Sequence, residues 1–305
     1  MQTIILLGPT AAGKTQLAIE LAKELDGEII SADSMQVYRG MDIGTAKPTL
    51  EERQGILHHL IDIRSPDEEW TVSDFVERTK ELRDQRAKKL IIVGGTGLYL
   101  WSLLNGYSFP LAPTDKEIRN RLEKEPISTL YAKLSTIDPA AVKRIHANDK
   151  KRIVRALEVY ELTGRPISET QTSNPQTTDS GTQDYILVGI NLPREKLYQR
   201  INQRVEDMIK KGLVEEVEGL LAKGYAKSLP SMQALGYKEV INYLEGKWTK
   251  EKMVEELKKR TRHFARRQMT WFRRFKNARW FEAVPRLPAG RQVDRKAILD
   301  YINSI

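Results

Sequence analysis

Cysteine is absent from all 305 residues, which removes disulfides, zinc thiolates and cysteine nucleophiles together. A reducing compartment suits such a chain, and a cytoplasmic location is expected. No apolar run approaches the ~18–20 residues needed to span a bilayer. The N-terminal stretch passes from Thr3-Ile4-Ile5-Leu6-Leu7 straight into glycine, with no charged leader. Neither a membrane segment nor a signal peptide is therefore expected. Acid is missing from one long stretch: between Lys258 and Arg279 there are ten Lys/Arg and no Asp or Glu. The remainder carries 40 basic against 41 acidic residues, so this stretch holds the whole basic excess behind the net charge of +9. It is either a solvated helix face or a surface for a polyanion. The interleaved Phe264, Trp271 and Phe275 favour the polyanion.

What is present describes a folded protein. Apolar residues make up 40% and charged residues 30%, which excludes a disordered chain. Short apolar runs at Thr3–Leu7, Glu28–Ala32, Leu90–Val93 and Tyr185–Leu192 read as strands. The first three each lead into a turn and a helical pattern, as in a parallel α/β sheet. Leu17, Leu21 and Leu25 place a helix over Gln16–Leu25. Thr114 with Glu117 reads as a capping box, and Asp138-Pro139 as an N-cap with proline at the first helical position. Asn148–Thr163 is amphipathic and stops at Gly164. Ser168–Asp184 is rich in Ser, Thr and Gln and reads as a loop. Arg194–Trp280 reads as several helices. The organisation expected is α/β: a P-loop NTPase-like parallel sheet flanked by helices, with a helical insertion domain. Residues 1–112 begin the core, 113–184 form the insertion, and 185–305 complete the core with basic C-terminal helices.

Gly8-Pro9-Thr10-Ala11-Ala12-Gly13-Lys14-Thr15 matches G-x-x-x-x-G-K-[ST] between a strand and a helix. Amides of such a loop and of the following helix N-terminus can wrap a di- or triphosphate. Lys14 would neutralise phosphate oxygens, and the Thr15 hydroxyl would hold Mg²⁺. The loop does not decide whether a phosphoryl group moves, or whether ATP also occupies it. Leu90-Ile91-Ile92-Val93 runs into Gly94-Gly95-Thr96 rather than into the acid that usually ends an NTPase's second strand. Asp33 is the acid best placed at a strand end, and ligands of open α/β sheets sit outside those ends. It is open to three readings: a turn cap, a water-mediated Mg²⁺ ligand, or a catalytic group. Thr96 is either a turn residue or a contact to the ligand. Adjacent His58 and His59 would point to opposite faces of a strand, which favours packing over a metal site. Trp101 and Trp248 read as core.

Several motifs then occur together. The P-loop, Asp33-Ser34-Met35-Gln36-Val37-Tyr38, Gly44-Thr45-Ala46-Lys47-Pro48 and Gly94-Gly95-Thr96-Gly97-Leu98-Tyr99 come first. Arg152-Ile153-Val154-Arg155-Ala156-Leu157-Glu158, Gln233-Ala234-Leu235-Gly236-Tyr237-Lys238 and Arg267-Gln268-Met269-Thr270-Trp271-Phe272-Arg273 follow. In this order the chain resembles the bacterial tRNA dimethylallyltransferases, also called tRNA isopentenyltransferases. The resemblance implies transfer of a five-carbon dimethylallyl group from dimethylallyl diphosphate to N6 of adenosine at tRNA position 37, beside the anticodon. It implies Asp33 as the general base and Thr96 at the bridging oxygen of the leaving group. Arg204 is added to the P-loop as a diphosphate contact. For the tRNA anticodon stem-loop it implies contacts from Asp33, Ser34, Met35, Gln36, Thr96 and Arg119. Lys151, Arg152, Ile153, Val154 and Arg155 join these, as do Gln233, Ala234, Leu235, Gly236, Tyr237 and Lys238. The partners implied are tRNA and dimethylallyl diphosphate, with a monomer as the working unit. On spacing alone a P-loop small-molecule or nucleotide kinase shares the loop and the acid after the second strand. That alternative leaves the Lys258–Arg279 block without a purpose.

Overall fold

The computed structural model describes residues 2–85, 88–106, 114–170, 184–283 and 294–305. Six parallel strands form one sheet: β1 (Thr3–Leu7), β2 (Gly27–Ser31), β3 (His58–His59), β4 (Lys89–Val93), β5 (Tyr185–Asn191) and β6 (Arg279–Glu282). Their order is β3-β2-β4-β1-β5-β6. Every residue of β1 is buried, as expected of a central parallel strand covered on both faces. Ile4, Ile5 and Leu6 of β1 register with Ile91, Ile92 and Val93 of β4 on one side. On the other side they register with Ile186, Leu187 and Val188 of β5. This pairing puts the ends of β1, β2 and β4 side by side.

The helix Lys14–Glu24 follows β1 and buries Leu17, Ala18, Ile19, Leu21 and Ala22. These join Ile4, Leu6, Ile29, Ile91 and Val188 in the main core, which Ile298 and Ile302 of the C-terminal helix Arg295–Asn303 also enter. A second core lies around Val37, Met41, Leu213, Val217, Tyr237, Met253 and Leu257. Contacts divide the chain into two units: Met1–Leu100 with Thr182–Ile305, and Trp101–Gly181. The smaller unit has its own core of Leu122, Leu130, Leu134, Ile153, Leu157 and Val159. Among the described residues no helix is long and apolar enough to cross a membrane.

Several expectations stand and others need correction. Asp138 caps Pro139–Val142 by accepting from the Ala141 amide, and Gly164 ends Lys150–Thr163 at φ 68°. The cap at the start of Lys116–Lys124 is Asp115 rather than Thr114. Its backbone is extended, which sets its side chain over the first turn, and its Oδ1 accepts from both the Glu117 and Ile118 amides at 2.9 Å. Strands β3 and β6 were not expected as such, and β6 falls at the end of the stretch read as helices. Of the loop read over Ser168–Asp184, residues 171–183 lie outside the described residues, and Ile167–Thr170 is a helical turn. Trp248 packs half-buried against the second core, and Trp101 is half-buried.

Candidate active site

The loop between β1 and its helix is held in a shape open to few residues. Gly8 has φ +149°, and a Cβ there would lie 2.6 Å from the Ile190 carbonyl oxygen of β5. Gly13 (φ 93°) and Ala11 (φ 64°) both take positive φ. For alanine that conformation costs energy, as is common where a loop is shaped for a ligand. The helix that follows has no acid in its first turn, so its N-terminal amides keep their positive potential. Lys14 is buried and donates to the Pro9 carbonyl at 2.9 Å. Burial, and then the nearby Arg204 guanidinium, bring its ammonium down to about 7 against the opposing pull of Asp33. Arg204, from the helix Arg194–Lys210, donates to Thr10 Oγ1 at 3.2 Å.

Asp33 follows β2, and its Oδ1 accepts from the amides of Met35 (2.9 Å) and Gln36 (3.4 Å). It is therefore a turn cap, although the turn does not engage Oδ2. Burial raises its pKa above the ordinary carboxylate range, while those amides, Lys14 and Arg204 work the other way. Thr96 follows β4, and its Oγ1 accepts from the Ser34 amide at 3.1 Å. This bond ties the two strand-end loops together. Gln36 accepts from the Ser31 hydroxyl at 2.9 Å and donates to the Thr45 and Ala46 carbonyls at 3.3 and 3.4 Å.

One residue of the site was not read from the sequence as a contact. Gln268, on the helix Lys250–Phe272, is 3% exposed. Its Oε1 accepts from the Thr10 amide at 2.8 Å, and its Nε2 donates to the Gly95 carbonyl at 2.9 Å. It thus couples the P-loop to the loop after β4. The signal available beforehand was its place in a stripe at helical spacing, Leu257, Thr261, Phe264, Gln268, Trp271 and Phe275, that is mostly apolar. That stripe does face inward, with Leu257, Thr261, Gln268 and Phe275 buried, while Lys259, Arg266, Arg273 and Lys276 are exposed. Lys258 instead pairs with Glu206 at 2.7 Å, and Arg262 donates to Asn202 Oδ1 at 2.6 Å.

Two cavities meet at these residues. One, of about 260 Å³, is lined by Gly13, Lys14, Thr15 and Arg204 and by Ile19, Ile29 and Val93. The other, of about 360 Å³, is lined by Met35, Leu98, Leu235, Phe264, Arg267 and Trp271. Thr10, Asp33, Gly95, Arg204 and Gln268 border both. A glycine-rich loop with Lys14 on one side and an aromatic, partly cationic chamber on the other share the Asp33 carboxylate.

The model of the IPP transferase family matches residues 36–275. The chain is 50% identical over 290 residues to a tRNA dimethylallyltransferase of Thermoanaerobacter sp. strain X514, covering 92% of this chain and 91% of that one. The chain belongs to the IPP transferase family. A relative in Anoxybacillus flavithermus, also a tRNA dimethylallyltransferase, is 44% identical over 99% of this chain and 96% of its own. Among solved structures, a full-length tRNA isopentenylpyrophosphate transferase from Bacillus halodurans matches at 39% identity with a TM-score of 0.72, over 99% and 96% of the two chains. A eukaryotic dimethylallyltransferase acting on tRNA matches at 29% identity with a TM-score of 0.81, over 99% and 80%.

Within this family member the expected site residues fall into two groups. Gly8–Thr15, Asp33–Gln36, Thr96, Arg204 and Ala234–Gly236 come together in the larger unit, around the two cavities or in the loop beneath them. Gln233 and Lys238 flank Ala234–Gly236 and are exposed. Tyr237 presents no side chain on the surface: it is 0% exposed and its hydroxyl donates to Glu216 Oε1 at 2.6 Å. Arg119, Lys151, Arg152 and Arg155 belong to the smaller unit, where Arg119, Lys151 and Arg155 line a cavity of about 470 Å³. Arg119 and Arg155 both donate to Glu158 Oε2 at 2.8 Å. Ile153 is enclosed in that unit's core and Val154 is 2% exposed at the cavity floor, so neither presents a side chain on the surface. His58 and His59 bind the Ile56 carbonyl and Glu28. Among the described residues no cluster of His, Cys, Asp or Glu is able to hold a metal by itself.

Proposed function

We propose that the protein transfers the dimethylallyl group of dimethylallyl diphosphate to N6 of adenosine 37 of tRNA and releases diphosphate. The observation that carries this reading is Asp33, placed where the phosphate cradle and the aromatic chamber meet. The diphosphate lies on the P-loop amides, with Lys14 and Arg204 against its charge, and Thr96, at the second cavity, would hydrogen-bond its bridging oxygen. The adenine, swung out of the anticodon loop, enters the second cavity, which has an aromatic lining suited to stacking a base. N6 attacks the allylic carbon as the carbon–oxygen bond breaks, and the electron pair leaves with the diphosphate. Asp33 accepts the N6 proton, and its raised pKa suits that task. Charge that grows on the leaving group meets cations already fixed in place.

A divalent ion fits the cradle. Thr15 is exposed on the first cavity beside Lys14, and Mg²⁺ commonly takes few protein ligands together with phosphate oxygens and water. The Thr15 hydroxyl would hold it, and the ion would neutralise diphosphate charge. The exposed cations of Lys250–Phe272 and Arg273–Lys276, with Arg119, Lys151, Arg152 and Arg155 of the smaller unit, would contact RNA phosphates. Incubation with dimethylallyl diphosphate labelled in its carbon chain, unmodified tRNA and Mg²⁺ tests the reading. Label entering RNA supports it. Phosphoryl transfer from ATP to a small acceptor, with no label in RNA, would favour a kinase.

A further inference from the structure

The loop Met41–Pro48 has no helix or strand of its own, yet it is gripped at both ends. On one side Glu216, from the helix Leu213–Ala222, accepts from three consecutive amides: Asp42 at 2.9 Å, Ile43 at 2.7 Å and Gly44 at 3.1 Å. Its Oε1 also accepts from the Tyr237 hydroxyl. Gly44 lies flat on the Tyr237 ring, where a Cβ would sit 2.5 Å from Cε2. On the other side the buried Lys47 ammonium bonds the Tyr38 carbonyl at 2.7 Å, Asp42 Oδ1 at 2.5 Å and Asp62 Oδ1 at 2.6 Å. The stretch held between these anchors carries the Thr45 and Ala46 carbonyls that accept from the Gln36 amide.

Gly44, Thr45 and Ala46 form one wall of the second cavity, with Thr45 and Ala46 bordering the first as well, and Ala234, Leu235 and Gly236, just ahead of Tyr237, form another wall of the second. Glu216 is bonded to Gly44 of the first wall and to Tyr237, the residue that follows the second, and itself lines neither cavity. We propose that Glu216 is a positioning residue for the acceptor base: by clamping the 42–44 amides to Tyr237 it fixes the spacing of the cavity walls and the aim of Gln36. This inference rests on the transferase reading. Oriented reaction is sensitive to small displacements, and a shift of about 1 Å costs up to ~10²-fold in rate.

Glu216→Gln keeps the size of the side chain but turns an N–H₂ donor toward groups that are themselves donors. With tRNA and dimethylallyl diphosphate, kcat is expected to fall roughly tenfold to a hundredfold. KM for tRNA and the Kd of a non-reactive diphosphate analogue should stay within about threefold, since the exposed cations proposed for RNA phosphates, and Lys14 and Arg204 beside the donor, make no bond to this loop. Gly44→Ala disturbs the same loop through the Tyr237 ring without altering a charge, and should give the same loss confined to kcat. The double variant should be no slower than the worse single, because one element is being displaced in both. Tyr237→Phe keeps the ring and removes one bond. Should either of the first two fail to fold by thermal unfolding, a severalfold loss confined to kcat in Tyr237→Phe sustains the proposal, and an unchanged kcat overturns it. A folded Glu216→Gln with wild-type kcat, or one losing donor affinity as much as kcat, also overturns it. A wild-type protein that prenylates no RNA refutes the transferase reading instead.

Discussion

Gln268 makes two hydrogen bonds across the site, and Gln268→Ala deletes both while leaving a residue well suited to a helix interior. The Thr10 amide and the Gly95 carbonyl are then left without their partner. A buried polar group stripped of its partner costs about 1–3 kcal/mol. Both groups border the cavities, where water can replace part of the loss, so the lower end of that range applies to each. The sum is about 2 kcal/mol of stability, read by chemical denaturation. The functional loss should be larger than this suggests, because the P-loop and the loop after β4 are no longer coupled. Single-turnover transfer should slow by roughly 10–100-fold. Gln268→Glu sharpens the test. It retains an acceptor for Thr10 but sets a carboxylate oxygen against the Gly95 carbonyl and adds negative charge to the wall of the donor cavity. Donor affinity, measured by titration with a non-reactive diphosphate analogue, should fall further in this variant than in Gln268→Ala. Wild-type rates in Gln268→Ala, or equal donor affinity in the two variants, would refute the reasoning.

Asp33→Asn should slow transfer by about 10²–10⁴-fold with donor affinity little changed. In wild type, turnover should fall as pH drops through a pKa above the usual carboxylate range. The folded state disfavours ionised Asp33, so the stability this group contributes is present in acid and lost as pH rises through its folded pKa. Asp33→Asn should therefore unfold at a higher temperature than wild type at neutral pH, with the difference closing in acid. For Lys14, with a folded pKa lowered to about 7, the ammonium is largely neutral above that pH in the free protein. Diphosphate binding at higher pH should then take up a proton, and affinity should decline as pH rises above 7. Calorimetry in buffers of different ionisation enthalpy reads this uptake, Lys14→Arg should abolish it, and its absence in wild type would contradict the assignment. Reversing the exposed Lys259, Arg266 and Arg273 to glutamate should weaken tRNA binding and flatten its dependence on salt while leaving donor affinity alone. An unchanged slope in filter binding would show that this face does not meet RNA.

The parts of this molecule that were legible in the sequence are those governed by local pattern. β1, β2, β4 and β5 are short apolar runs because central parallel strands are buried on both faces. The edges were harder. β3 is two histidines, and β6, Arg279–Glu282, is exposed or half-buried throughout, so pairing with a neighbour rather than apolarity makes these residues strands. The phosphate loop was readable because its spacing is dictated by backbone geometry. Gln268 was not readable as a contact, since its partner Thr10 lies 258 residues away and only tertiary packing brings them together. Tyr237 shows the reverse case: it sits in a motif that carries the resemblance, yet what fixes its side chain is packing on Gly44 and a bond to Glu216, which only the fold reveals.

The central claim is that the carbon chain, not a phosphoryl group, moves from the donor, and that it lands on one adenine. An anticodon stem-loop with adenosine at position 37, and a second with guanosine there, incubated with dimethylallyl diphosphate and Mg²⁺ and then digested to nucleosides for mass spectrometry, tests this most directly. The account predicts N6-dimethylallyladenosine from the first RNA, no prenylated nucleoside from the second, and diphosphate released in step with the modified base. Prenylation of both RNAs, or diphosphate release without modified adenosine in either, would contradict it.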